Sequence, residues 1–436
     1  MSLVRTIRTT DPDARRQLAD LRKPLLLEQL LQDSPELQAV RQIIDDVRRR
    51  GDQAVAETTR RVDVVELDPA SFRVPAEQII AAREAMAPGL RDAVRRSIEQ
   101  VREFQEHILS RTREPLRRNG CTLQARLLPL RRVGVCVPGA AAPLPSSAIH
   151  CVVPAQVAGV KEIAIVAPPR HKGTVHPTIL AVAAELGVTE VYRVGGPQAV
   201  AALAIGTASI PRADKIVGPG SVYTQLAKRL CYGMTDIEMF AGPSEVVVIA
   251  DEAAVPAHVA ADLLAQAEHD PGAAILLTPS ERLLAEVRRE LVVQVTSLLR
   301  QEGTARALER YSALVLVRDL HEAVELTNAL APEHVQIETR NADELVDRVV
   351  NAGAIFVGGH GTEAAGDYVA GPSHVLPTGG SARFWSGLSC NDFLRRTSII
   401  RYDADGLAAD ADAIIAIAEA EGLTAHANSV RIRVRK

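Results

Sequence analysis

The chain is poor in aromatic side chains, with one Trp, six Tyr and six Phe among 436 residues. Its core must therefore be filled by Val, Ile, Leu and Ala, a composition suited to β-branched strands alternating with Ala/Leu-rich helices. Cysteine is scarce as well. Cys121, Cys136, Cys151, Cys231 and Cys390 are odd in number, widely spaced and form no CxxC pair. That excludes a disulfide scaffold and a thiolate zinc site, and makes a reducing cytoplasm the simplest compartment. Any metal should then be held by imidazole, carboxylate or amide groups. No apolar run reaches the roughly 18 residues of a membrane span. The opening MSLVRTIRTTDPDARRQ lacks the apolar segment of a signal peptide. Charge of one sign is missing too: 50 Lys and Arg stand against 54 Asp and Glu. The basic clusters Arg48 to Arg50 and Arg431 to Lys436 are short, so no nucleic-acid-binding stripe is expected. Finally, no GxGxxG stands at a strand-to-helix turn.

What is present is a chain long and apolar enough, at 47% hydrophobic, to bury a large core and more than one domain. Residues 10 to 120 read mainly as helices. Pro24 opens one at LLLEQLLQDS, PELQAVRQIIDDVRRRG fits a second that stops at Gly51, and DAVRRSIEQVREFQEHIL has helical spacing. From Val133 the period changes to short apolar runs: VGVCVP, EIAIVAPP, EVYRVGG and DKIVGPG, then EVVVIAD, AAILLTPS, SALVLVRD, HVQIET and GAIFVGG. Helix-like stretches separate them, which predicts two Rossmann-like α/β domains with parallel sheets buried on both faces. Ligand groups should collect at the carboxyl ends of the strands, in the crevice between domains. The Gly-rich turns VGGPQAV and VGPGSVY could admit a phosphate, or simply turn the chain. The closing VRIRVRK alternates like a final edge strand.

Four stretches carry candidate chemistry. In LLAQAEHDPG, Gln266 and His269 are three apart on a helical pattern and share a face, as a ligand pair or as a polar helix end. In APEHVQIET, Glu333 and His334 precede a strand-like run. An imidazole there can accept and return protons while a carboxylate activates water, unless the two form a surface ion pair. GTEAAGDYVAGPSHVLPTGG sets Asp367 and His374 in a loop rich in glycine, and EGLTAHANSV offers Glu421 and His426. Together Gln, His, Asp and His make an N/O set suited to Zn²⁺. Composition and spacing reach a metal-assisted enzyme in an interdomain cleft, and do not separate redox chemistry from hydrolysis.

The ordered segments VGVCVPGAAAPLPSS, PAQVAGVKEI, VGGPQAVAALAIGT, DKIVGPG, AGPSEVVVIAD, DLLAQAEHD, APEHVQI, GDYVAGPSHVLPTGGSAR and EGLTAHANSV resemble the histidinol dehydrogenase family over nearly the whole chain. That family oxidises L-histidinol to L-histidine through the aldehyde with two NAD⁺, the last two steps of histidine biosynthesis. The resemblance implies zinc ligands at Gln266, His269, Asp367 and His426, the last reaching over from a partner subunit in an intertwined homodimer. It implies a catalytic pair at Glu333 and His334. Further substrate contacts would be Ser244, His374 and Glu421, and NAD contacts Cys136, Gln198 and Ser221. It also implies an N-terminal segment (1–22), a first domain (23–132 with 243–385) on the substrate and metal side, an NAD-side domain (133–242), and a dimerising extension (386–436). The chain departs from the family pattern mainly near the dinucleotide. Cys136 replaces a common Tyr, Ser221 a common Asn, His360-Gly361-Thr362 a usual Tyr-Thr-Pro, and Ser373 a usual Asn. Two other expectations stay beside this one: a related zinc and NAD enzyme acting on another polar alcohol such as a sulfonated diol, and a non-catalytic zinc-stabilised binding protein.

Overall fold

The computed structural model of the protein describes residues 3–23, 34–139, 143–240, 242–269 and 271–435. Two parallel sheets organise it. The larger has six strands in the spatial order Arg5–Arg8, Ala313–Leu316, Gly272–Thr278, Ser244–Ala250, His334–Glu338 and Ala354–Val357. The smaller has five: Val191–Tyr192, Glu162–Val166, Arg132–Cys136, Lys215–Val217 and Asp236–Ile237. Every pairing in both is parallel, as apolar runs separated by helices require.

In the five-stranded sheet the first strand in sequence lies centrally, with the second and third to one side and the fourth and fifth to the other. The strand order therefore reverses between Arg132–Cys136 and Lys215–Val217, a crevice where such sheets receive ligands. An apolar cluster covers each face of each sheet.

The expected helices form at Pro35–Arg50, where Ser34 Oγ accepts from Leu37 N at 3.2 Å and Gly51 ends the run at φ 55°, and at Pro88–Ile108. The helix expected at LLLEQLLQDS falls almost wholly at 24–33, outside the described residues. Packing regroups the amino-terminal part. Leu37, Val40 and Val55 pack with Val166 and Leu203, and Val94 and Val101 with Val135 and Val152, all on the five-stranded sheet. The helical stretch expected on the substrate side thus lies on the other sheet. Ile7 and Leu18 instead join the six-stranded core.

Two other features differ from the sequence reading. Cys121–Pro129 forms a long antiparallel pair with Leu394–Tyr402, with Leu116–Arg118 added at the edge. The carboxyl-terminal VRIRV is not an edge strand but part of the helix Thr424–Val434, packed beside Ala404–Ala420. Ala427 and Val430, three apart, are its buried positions, so the helical period decides over a short alternation. No helix among the described residues is long and apolar enough to cross a membrane.

Candidate active site

The catalytic candidates sit where a helix is forced to stop. Helix Leu320–Leu330 ends at Ala331, whose φ of 45° is a left-handed conformation costly for a residue with a Cβ. Pro332 follows, and Glu333 and His334 enter the strand His334–Glu338 buried at its amino end. That strand lies beside Ser244–Ala250, with His334 opposite Val246.

Gln266 and His269 reach the same end for a topological reason. Helix Pro256–Ala267 is the crossover between the parallel neighbours Ser244–Ala250 and Gly272–Thr278, so its carboxyl end returns to the start of the strands. Gly272 packs so close that a Cβ there would lie 2.2 Å from the Gln266 carbonyl oxygen. The negative end of the helix dipole therefore faces the region where a cation would sit. Helix Glu363–Tyr368 contributes Glu363 and Asp367, four apart on one face.

These elements converge. His334 Nδ1 is 3.1 Å from Gln266 Oε1, 3.6 Å from Glu363 Oε1 and 3.8 Å from Glu333 Oε2. Ligand atoms of His269, Glu363 and Asp367 all lie within 4.8 Å of one another. Gln266 Nε2, His334 Nε2 and Glu363 Oε2 are buried without a hydrogen-bond partner. Unpaired polar atoms around an oxygen- and nitrogen-rich cluster are what a divalent cation and a polar substrate would satisfy, so the residues fit zinc.

Burial governs the electrostatics. It pushes His334 down to about 3, with His269 and His374 adding repulsion, so the imidazole is neutral. Burial also raises the Glu333 carboxyl well above its ordinary value, and Asp367 raises it further. The backbone N–H of Glu245, donating to Glu333 Oε2 at 3.2 Å, and the Ser244 side chain act the other way. Asp367 is pushed up to about 6 and His374 down to about 4, each chiefly by burial. His269 is open to solvent at the mouth, yet enough protein surrounds its ring to lower it as well.

The metal and catalytic candidates thus gather at the amino ends of the large-sheet strands, not at the carboxyl ends as expected. The crossover helix Pro256–Ala267 carries Gln266 and His269 back. The cofactor candidates do follow the expected rule. Cys136 closes the strand Arg132–Cys136, Gln198 lies in the first turn of Gly196–Ile205 after Val191–Tyr192, and Ser221 caps Val222–Cys231 after Lys215–Val217. Cys136 and Ser221 flank the point of strand-order reversal. Cys136 is buried in the apolar cluster and burial drives its thiol up to about 12. Gln198 Nε2 donates to Thr59 Oγ1 at 3.4 Å, and Ser221 is exposed.

The turn before Ser221 is held from beneath. Lys228 Nζ and the Gly218 N–H both donate to Glu238 Oε1, at 2.6 and 2.8 Å, and Lys228 Nζ also donates to Gly218 O. A Cβ at Gly218, whose φ is 107°, would lie 2.2 Å from the Cys136 carbonyl oxygen.

Sequence reasoning passed over Glu363 and His150. Glu363 stands four before Asp367 in EAAGD, a helical spacing that could have flagged it. The buried His150 stacks on His374 with ring centroids 4.3 Å apart, and no local pattern announces such a contact. Glu421 and His426 lie exposed on the carboxyl-terminal helix pair and do not join the cluster among the described residues.

Comparison with known proteins agrees with this architecture. The histidinol dehydrogenase family profile matches residues 28–434. Histidinol dehydrogenase of Rhodopirellula baltica is 49% identical over 397 residues, covering 91% of this chain and 86% of that protein. That of Heliobacterium mobile is 44% identical, covering 94% and 96%. The crystal structure of histidinol dehydrogenase from Elizabethkingia anophelis superimposes with a TM-score of 0.92 at 32% identity, covering 100% of this chain and 98% of that one. The chain belongs to the histidinol dehydrogenase family.

Proposed function

We propose that this protein oxidises L-histidinol to L-histidine through the aldehyde, reducing two NAD⁺ and consuming one water, as the closing steps of histidine biosynthesis. The observation that carries the proposal is the buried Glu333–His334 pair beside a cluster of Gln266, His269, Glu363 and Asp367. Gln266, His269 and Asp367 would hold a zinc ion, which would supply a Lewis-acid anchor for the substrate, and NAD⁺ would supply the hydride acceptor.

The chain's own groups divide the proton work. Gln266 Oε1 and the two carboxylates surround His334 Nδ1, so that nitrogen carries the proton and Nε2 is the basic atom. In the first oxidation His334 Nε2 takes the hydroxyl proton as hydride leaves the carbinol carbon. Glu333 then orients and deprotonates the water that adds to the aldehyde, while His334 Nε2 returns its proton to the carbonyl oxygen, which gives the hydrate and leaves His334 neutral again. His334 takes the proton of the resulting hydrate as the second hydride departs. Ser244 and His374 line the same region.

Glu421 and His426 enter this scheme if the extension 386–436 joins two copies of the chain. Its helix pair exposes Ile417, Leu423 and Ile432, and the strand before it exposes Ile400, apolar surface suited to a homodimer. His426 of one copy would complete the zinc set of the other. Five free, buried thiols fit a cytoplasmic setting.

The test is NADH formation from histidinol by purified protein, before and after chelation and with zinc restored. Chelation should abolish activity and zinc should return it. One NADH per substrate with release of a carbonyl product would instead mark a dehydrogenase of another polar alcohol.

A further inference from the structure

His150 has no part in the chemistry above, yet it is wholly buried against a substrate-facing residue. It lies on helix Pro145–Ala158, which follows the central strand of the cofactor-side sheet. Its ring stacks on His374 at 4.3 Å between centroids and 21° between planes. Its carbonyl oxygen accepts from Ser373 Oγ at 3.1 Å, and the same Oγ accepts from Val375 N at 3.2 Å. The position where Ser373 departs from the family pattern thus has its partner in His150. His374 Nδ1 in turn lies 3.0 Å from the Asp367 carbonyl oxygen.

The edge of the His150 ring faces the carbonyls of Asp367 and Pro372, but neither ring nitrogen reaches hydrogen-bond geometry. Those carbonyls offer the ring only loose polar contacts, so polar satisfaction alone does not explain a wholly buried imidazole. A flat surface does. The ring torsion of a histidine is broad and roughly two-fold, so His374 needs a packed face to fix its plane.

We propose that His150 is a positioning residue, a clamp from the cofactor-side unit that fixes the His374 ring and the 367–374 loop for substrate binding. The substrate-facing half of this proposal rests on the histidinol reading. The clamp itself does not.

The experiment compares H150A, H150L and H150F with the wild-type protein. Hydrogen–deuterium exchange of peptides covering 367–376 reads the loop without any substrate, and KM for histidinol reads its use. H150A and H150L should speed exchange there and raise KM by about three- to tenfold, the scale of one lost aromatic contact. KM for NAD⁺ and zinc content should stay unchanged. H150F keeps the flat ring and should remain within about twofold of wild type on both measures. H150L conserves bulk, so it carries the test if H150A fails to fold. The clamp is overturned if both ring-less variants behave as wild type, if KM changes without exchange, or if H150F is as impaired as H150L. Faster exchange in H150L but not H150F, in a protein that does not oxidise histidinol at all, would overturn the histidinol reading and leave the clamp standing.

Discussion

His334 Nδ1 and Gln266 Oε1 lie 3.1 Å apart, so the proposed proton acceptor and a proposed metal ligand share one hydrogen bond. A carbonyl oxygen has two lone pairs and can accept the imidazole N–H while the other faces a cation. Gln266→Ala should therefore do two things at once. Zinc content should fall below one per chain, and activity should remain impaired at saturating zinc because His334 loses its orienting partner. Metal analysis alongside kcat at saturating zinc separates the two effects.

The two half reactions should part under mutation. His334→Asn removes the acceptor for both and should lower histidinol oxidation by about 10²–10⁴-fold. Glu333→Gln should spare histidinol oxidation relative to aldehyde oxidation, measured with each substrate supplied separately. Equal and mild losses in both steps for both variants would contradict these roles.

The Gly218–Ser221 turn, the proposed cofactor turn, depends on a buried ion pair. Lys228 and Glu238 have side-chain exposures of 0% and 1%, and their contact holds Gly218. Lys228→Met strands the carboxylate and should destabilise the fold by about 3–5 kcal/mol. NAD⁺ affinity should weaken with it. Replacing both partners, Lys228→Met with Glu238→Leu, should recover much of the stability in a urea titration but not the NAD⁺ affinity, because Gly218 loses its anchor.

A second buried pair gives a pH dependence of stability. Glu338, at the carboxyl end of its strand, is pushed up to about 8 by burial and then by Asp262 beside it. Asp262 is also raised, chiefly by burial, and accepts from Thr362 Oγ1 at 3.0 Å. A carboxyl raised on folding holds its proton in the native state after the unfolded chain has lost it. Stability is then greatest below the unfolded value near 4.5 and declines as pH rises toward 8. Glu338→Gln removes that titration, so its melting temperature relative to wild type should rise between pH 5 and pH 8. Thermal scans across that range check the sign.

The parallel sheets were legible because their strands are continuous apolar runs such as EVVVIAD, buried on both faces. The pair Cys121–Pro129 and Leu394–Tyr402 was not. Half of its residues face solvent and its partners are about 270 positions apart, so no local period marks it. At the site, residue types were readable but not their end of the sheet. Gln266 is carried to the amino end by a crossover helix, a consequence of topology rather than of any motif. Glu363 was hidden because an acid at a helix start looks like ordinary dipole compensation. His150 was hidden because a histidine inside SSAIHCVVP reads as core, which it also is.

Whether His426 serves a neighbouring copy can be read by complementation. Mixed dimers of H334N and H426A should regain activity, since one of their two sites would then have both residues intact. Neither parent dimer would. No recovery on subunit exchange would place His426 in its own chain's site or outside it.

The central claim is that one cluster carries an alcohol all the way to an acid. Its most direct measure is the yield of NADH from a limiting amount of L-histidinol, with the product identified. Two NADH per histidinol and L-histidine as product is the expected result, and one NADH with a free aldehyde or ketone, or no reduction at all, would contradict it.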